Sequence, residues 1–379
     1  MVYVTVKQSP MYKQMTLEDF LFNSVSGNLL INNNVGNTRT YCFEELPLRL
    51  STAVRKQRLI RRLKEFNAET EPLRECDRRK LYYSFFIPKK SGGRRRIDAP
   101  NFELMDALRN LKKIFEVDFG VLYHTTAFAY VKGRSTLDAV KRHQANESKW
   151  FGKFDLSNFF GSTTLEFVMK QFSTIYPFSE IVKEDEGRME LEKALELAFL
   201  NGGLPQGTPI SPLISNIIMI PIDYKLSNTL RDFDGNRFVY TRYADDFIIS
   251  SRHDFNFRNV ENLMLETFEE FGTPFSLNRE KTRYGSSSGR NWLLGVMVNS
   301  ENNITIGRKK KRIFECLLHE YASSVRSGML WSLDDVQVLA GQMSYYKMVE
   351  GEVIDNIVAH ISNKTGVDIF TSIKEQLKG

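Results

Sequence analysis

Alternation of apolar and polar residues is clearest in the second half of the chain. Arg237-Phe238-Val239-Tyr240-Thr241 and Phe247-Ile248-Ile249-Ser250-Ser251 are rich in aromatic and β-branched residues and flank a short polar break, which predicts a β-hairpin. Trp150 to Asp155 predicts a strand that ends at an acid, with Ser157 or Asn158 placed to cap a following helix. Leu81 to Pro88 and Arg94 to Pro100, around Ser91-Gly92-Gly93, predict a second hairpin. Helical spacing of apolar residues runs over about 44–66, over 101–115 and from a cap at Ser135 or Thr136. It recurs over 213–226 and 259–271, then over 311–327 and 333–349. The first 75 residues are the least patterned: a β-like start gives way to a polar, Asn-rich stretch between Asn23 and Thr40.

With 379 residues, 42% of them hydrophobic and 26% charged, the chain has the composition of a soluble protein with two or three domains. No run approaches the ~18 apolar residues of a membrane span. The N-terminus lacks the order of a signal peptide. Cys42, Cys76 and Cys316 are too far apart for a metal pair or a disulfide framework, which fits a reducing cytoplasm. The net charge of +6 is mild, but 15 Lys and Arg against 5 Asp and Glu fall between Arg55 and Arg96. A second basic run is Arg308-Lys309-Lys310-Lys311-Arg312. Such clusters attract phosphate backbones, although each alone also reads as a solvated helix face.

Candidate chemistry starts at the 237–251 hairpin. Asp245 and Asp246 are adjacent at its tip, where they repel and contribute no packing. A bound cation would offset the repulsion. Asp155, an acid leaving a buried strand, needs solvent, a partner or a metal, and sheet pairing could bring it beside the other two. Three carboxylates on neighbouring strand ends could hold two Mg²⁺ ions, which take oxygen ligands and keep substrate phosphates, the arrangement for nucleotidyl transfer. The basic hairpin from Lys89 to Arg96 could clamp a triphosphate through arginine forks. Gly202-Gly203-Leu204-Pro205-Gln206-Gly207-Thr208-Pro209 is a stiff loop allowing close backbone approach, with Gln206 placed to touch a sugar or base. Lys132 and Arg134, around Gly133, could hold a template backbone or belong to a plain loop. The five histidines form no ligand spacing.

Phe154-Asp155-Leu156-Ser157-Asn158-Phe159-Phe160, Leu204-Pro205-Gln206-Gly207-Thr208-Pro209-Ile210-Ser211-Pro212 and Tyr243-Ala244-Asp245-Asp246, in this order, resemble the core blocks of reverse transcriptases. The similarity is to bacterial members: group II intron, retron and defence-associated enzymes. The resemblance implies an α+β right-hand polymerase with fingers, a ferredoxin-like antiparallel-sheet palm and a helical thumb. The expected division is an N-terminal extension over 1–75, fingers over 76–150, palm over 151–187, a substrate loop over 188–215, palm again over 216–305 and thumb over 306–379.

Implied roles follow position by position. Asp155, Asp245 and Asp246 resemble the catalytic metal triad, with the Leu156 carbonyl a further ligand for two Mg²⁺ ions, which Mn²⁺ could replace. Phe160 would exclude a 2′-hydroxyl, Gln206 would line the dNTP pocket, and Lys89 and Arg95 would meet the triphosphate. Lys281 would neutralise or protonate pyrophosphate. Leu294 and Gly295, after Trp292, would support the primer end, and Lys309, Lys310 and Lys311 would track the template–primer. The expected partners are an RNA template, a DNA product, dNTPs, a cognate non-coding RNA and an effector protein, with no membrane. No maturase, RNase H or nuclease region is expected after the thumb, and the expectation is therefore a retron-like or phage-defence enzyme. Template-independent or protein-primed synthesis is the alternative, and a non-catalytic RNA-binding module a further one.

Overall fold

The computed structural model describes residues 3–6, 39–42, 52–88, 92–289 and 293–378, the first two segments as backbone only. Lys89, Trp292 and most of the first 51 residues lie outside the described residues. Strands β1 (Tyr3–Val6) and β2 (Arg39–Cys42) pair antiparallel. Helices α1 (Thr52–Glu69) and α2 (Glu71–Glu75) follow, then a 3₁₀ turn over Arg78–Leu81. The basic hairpin is β3 (Tyr82–Pro88) and β4 (Arg94–Pro100), with Phe85 opposite Ile97 and Ile87 opposite Arg95. Helix α3 (Phe102–Lys113) is capped by Asn101 and runs into a π turn, Ile114–Asp118. Helix α4 (Thr136–Ala145) starts with a reciprocal capping box between Ser135 and Asp138.

The centre of the molecule is a four-stranded antiparallel sheet. Its strands are β5 (Trp150–Asp155), β6 (Phe238–Tyr243), β7 (Asp246–Ser251) and β8 (Arg283–Ser286), in spatial order β6-β7-β5-β8. Helices separate β5 from β6 and β7 from β8, while β6 and β7 are joined by a tight turn. That is the βαββαβ connectivity of a ferredoxin-like sheet.

Between β5 and β6 run α5 (Phe159–Ser162), α6 (Leu165–Phe172), α7 (Phe178–Ile181), α8 (Asp185–Glu196), α9 (Ser211–Ile218) and α10 (Ile220–Thr229). The single helix expected over 213–226 is thus two. Pro221 enters the first turn of α10, where its missing N–H is tolerated, but it cannot continue the α9 ladder. The cap expected from Ser157 or Asn158 also differs. Asn158 sits left-handed at the N-cap of α5 and makes no side-chain cap bond. Between β7 and β8 lies α11 (Phe257–Glu270). Its buried Val260, Leu263, Met264, Thr267 and Phe268 form one apolar stripe.

One apolar core reaches from Leu59 in α1 to Phe275 after α11. It is built on edge-on and tilted rings such as Phe115, Phe172 and Phe178. The boundary expected at 150/151 is therefore not a break in the core. Past the sheet come the short strands β9 (Met297–Val298) and β10 (Ile304–Thr305). Helices α12 (Arg308–Arg326), α13 (Leu333–Thr365) and α14 (Ile369–Gln376) close a separate core from Ile306 to Ile373. Helix α13 runs past the end expected at Val349, with non-helical backbone at Glu350. The Glu350 carboxylate accepts from the Ile306 N–H and Thr305 hydroxyl and pairs with Lys311. No described helix is long and apolar enough to cross a membrane.

Candidate active site

The hairpin between β6 and β7 has a two-residue turn, Ala244-Asp245, with Tyr243 opposite Asp246. Ala244 holds φ at +57°, which a non-glycine residue adopts only at a cost of about 1–2 kcal/mol. β7 also pairs with β5, and there Asp155 stands directly opposite Asp246. The Leu156 N–H donates to the Asp245 carbonyl at 3.1 Å, tying the end of β5 to the turn. Side chains alternate across a sheet. Asp155, Lys153 and Phe151 therefore share the face of Asp246, Ile248 and Ser250, away from the face that packs on the main core. The structure brings together the three acids that the sequence leaves 90 residues apart.

Two lysines neutralise this cluster. Lys281 Nζ lies 2.9 and 3.0 Å from the two Asp155 oxygens. That bond, ahead of the opposing effect of burial, raises the Lys281 pKa. Lys153 Nζ lies 3.0 Å from Asp246 Oδ1 but is not aligned as a hydrogen-bond donor, so Oδ1 is buried without a hydrogen bond. Burial, then the neighbouring Asp246 charge, raises the pKa of Asp245. A carboxylate in this state gains most from a nearby cation.

Among the described residues no three His, Cys, Asp or Glu side chains converge into a ready-made metal cage. Mg²⁺ does not need one, because it binds through one or two carboxylates together with substrate phosphates. The all-oxygen donor set, and an Asp246 Oδ1 buried without a hydrogen bond and held only by the Lys153 charge, fit such an ion.

Beneath the turn, on the opposite face of β6, lies Arg242, the largest fully buried side chain among the described residues. Its fork meets Asp223 through Nε–Oδ1 at 2.8 Å and Nη2–Oδ2 at 2.7 Å. Nη1 reaches Asn216 Oδ1 at 3.1 Å and the Ala244 carbonyl at 3.3 Å. Tyr240 Oη donates to Asp223 at 2.6 Å. Burial lowers the Arg242 pKa, but Asp223 and Tyr240 outweigh it and the net direction is up.

The loop over 200–208 packs against α5 and β4. The Leu204 N–H donates to the Phe160 carbonyl at 2.9 Å, and the Asp98 N–H donates to the Gln206 carbonyl at 2.7 Å. A Cβ at Gly203 would collide with the Gly161 carbonyl, and one at Gly207 would sit 2.9 Å from the Asp98 carbonyl oxygen. Glycine is required at both positions by close approach. Phe160 and Gln206, both half-buried, are thereby joined to each other and to the arginine strand. Arg95 is exposed on β4, and its charge acts on Tyr130, as does that of Asp245.

The other candidates divide by what they touch. Lys132 is exposed, whereas Arg134 Nη1 donates to the carbonyls of His124 and Ala127 at 2.7 and 2.6 Å. Leu294 and Gly295 form a tight turn between Leu293 and Val296, with φ of +51° and +93°. Lys310 Nζ donates to the Gly295 carbonyl at 2.6 Å. Lys311 pairs with Glu350 at 2.6 Å. Of the three lysines Lys309 is the exposed one, so the basic run is partly structural. Sequence reading missed Lys153, Asp223, Arg242 and Tyr130. An arginine inside the apolar run of β6 was the available signal, since a buried charge demands a partner.

Residues 87–305 match the family model described as Reverse transcriptase (RNA-dependent DNA polymerase). The chain is 30% identical to the retron Ec73 reverse transcriptase of Escherichia coli over 70% of its own length and 82% of that protein's. It is 28% identical to the retron Ec83 reverse transcriptase of the same organism, over 79% and 91%. Among solved structures, apo telomerase from Candida tropicalis matches at 15% identity and a TM-score of 0.43, covering 78% of this chain and 61% of that one, too distant to bear on the site. With the family model spanning more than half of the chain, and the sheet, turn and acids standing inside it, the chain belongs to the reverse transcriptases and is an RNA-directed DNA polymerase.

Proposed function

We propose that Asp155, Asp245 and Asp246 are the catalytic carboxylates, and that together with the Leu156 carbonyl they hold two Mg²⁺ ions, which Mn²⁺ can replace. The observation that carries this reading is register: Asp155 faces Asp246 across β5 and β7, and the turn sets Asp245 next to them. Ions held there would supply activation of a primer hydroxyl and stabilisation of the leaving pyrophosphate. The chain's own residues do the rest. Lys281, released from Asp155, neutralises or protonates the pyrophosphate. Arg95 and Lys89 hold the triphosphate, and Gln206 lines the nucleotide. Phe160 crowds the sugar 2′ position and selects dNTPs. Lys132, Leu294, Gly295 and Lys309 contact the template–primer directly, while Arg134, Lys310 and Lys311 brace the loops that do so.

We further propose that the template is a cognate non-coding RNA in a retron-like system, and that the system acts in anti-phage defence with an effector protein. Support for the retron setting is similarity to the two retron enzymes. Support for the defence role is the sequence resemblance alone.

The test is primer extension by the purified chain on a heteropolymeric RNA, with dNTPs or rNTPs, and sequencing of the product. The expected product is DNA complementary to the RNA, with rNTPs rejected by the parent and accepted by Phe160→Ala. A product unrelated to the RNA would replace this reading with untemplated or protein-primed synthesis. Unchanged rejection of rNTPs by Phe160→Ala would remove Phe160 from the pocket.

A further inference from the structure

We propose that Arg242 is a positioning residue whose buried guanidinium locks the Asp245 turn and the Tyr130 segment together beneath the catalytic face. The inference rests on the reading of Asp245 as a cation ligand. Arg242 is bonded to five residues at once. Its side chain forks onto Asp223 and reaches both Asn216 Oδ1 and the Ala244 carbonyl. Its backbone N–H donates to the Thr126 carbonyl at 2.8 Å, and its carbonyl accepts from the Phe128 N–H at 2.9 Å. Asn216 then passes the hold on, because its Nδ2 donates to the Ala129 carbonyl at 2.7 Å.

Two non-glycine residues in the left-handed region flank this network, Ala244 at φ +57° and Tyr130 at φ +60°. Such conformations persist where the surroundings over-determine them. Ala244 is gripped at its carbonyl by Arg242, and Tyr130 follows the residue gripped by Asn216. The two segments end at Asp245 and at the half-exposed Tyr130, whose hydroxyl is influenced by the Asp245 and Arg95 charges.

A generic structural role does not account for the arrangement. A buried ion pair can often be replaced by apolar residues without loss of stability. Only a planar fork with five donors can engage a carboxylate in pairs and still reach an amide oxygen and a turn carbonyl. Lysine supplies the charge but not the fork, so Arg242→Lys separates positioning from charge.

The experiment is an equilibrium Mn²⁺ titration of the full chain without nucleic acid, followed by the electron paramagnetic resonance signal of free Mn²⁺. Far-UV circular dichroism at the same temperature establishes that each variant is folded. Asp245→Ala is expected to weaken Mn²⁺ binding at least tenfold. Arg242→Lys and Asn216→Ala, though they change no ligand, are expected to weaken it at least fivefold. In primer extension they are expected to lower kcat with little change in the KM for dNTP. A loss smaller than fivefold in the folded Arg242→Lys variant overturns the proposal. If that variant does not fold, the same limit applied to Asn216→Ala decides. Unchanged binding in Asp245→Ala would remove the cation reading itself, and the positioning role with it.

Discussion

His143 and Arg242 are both polar and both fully buried, and the protein resolves the two cases in opposite ways. Arg242 stays charged because Asp223 is bonded to it. His143 has no acid beside it. Its ring bonds Ser250 Oγ at 2.6 Å and Thr241 Oγ1 at 2.7 Å, and burial pulls its pKa down to about 3. The unfolded chain, with an ordinary histidine pKa near 6.5, binds the proton between those values and the folded chain does not. Stability from this residue is therefore complete above pH ~6.5 and declines as pH falls toward 3. Between pH 6.5 and 5 the decline is about 2 kcal/mol. Urea unfolding at pH 7 and pH 5 should show that loss in the parent, and His143→Gln should remove most of the difference. An equal pH dependence in the variant would mean the proton is taken up elsewhere. The arginine inside the apolar run of β6 signals in the sequence that a partner is needed, but neither residue's partner was legible, because an isolated polar residue does not announce where its partner lies. Asp223 is 19 residues from Arg242 and His143 is 107 from Ser250. The paired acids of the turn were legible because they are adjacent, and Asp155 because it ends an apolar strand.

Elements were legible where their period was long and uninterrupted. The 237–251 hairpin, β5 and α11 fall within a few residues of expectation. β8 is a four-residue edge strand containing Gly285 and carries no pattern of its own. It is defined only by pairing with β5. The end of α13, expected at Val349, was placed too early. The structure instead kinks there and continues, with the Glu350 side chain drawn to β10. The loop from Gly202 to Pro212 was recognised by composition, but the reason for Gly203 and Gly207 is tertiary: backbone meets backbone at Gly161 and Asp98. Gly203→Ala should push the loop away from Phe160 and displace Gln206. The expected result is a 10- to 100-fold fall in kcat/KM for dNTP, the scale of a misplacement of about 1 Å, while secondary structure is retained. Steady-state kinetics with the parent at the same RNA template check this. A Gly203→Ala variant with parental kcat/KM would show that the loop does not set the nucleotide site.

At the scale of the whole molecule, one core joins the segment expected as fingers to the palm sheet, and the helices from α12 onward carry their own. The sheet that carries the three acids therefore stands on a continuous support reaching back to α1, whereas the C-terminal helices meet it through Tyr345 and Val349, packed on the apolar cluster of Leu137, Phe151 and Ile248, and through β10, Glu350 and the 293–296 turn. The basic charge follows the same division. Arg94, Arg95 and Arg96 stand on one hairpin, and the run at the start of α12 is divided between solvent-facing and internally paired side chains. Template–primer is expected to bind between these two basic regions, and its extension is expected to depend on the acids at the centre. The most direct measurement is single-turnover extension of a primer on an RNA template by Asp245→Ala and Asp246→Ala, alongside their thermal melts. Each variant should melt within a few degrees of the parent and lose at least ~10³-fold in rate, the ~4 kcal/mol expected when a charge-stabilising group leaves a reaction centre. A folded variant that extends the primer within tenfold of the parent rate would contradict the account.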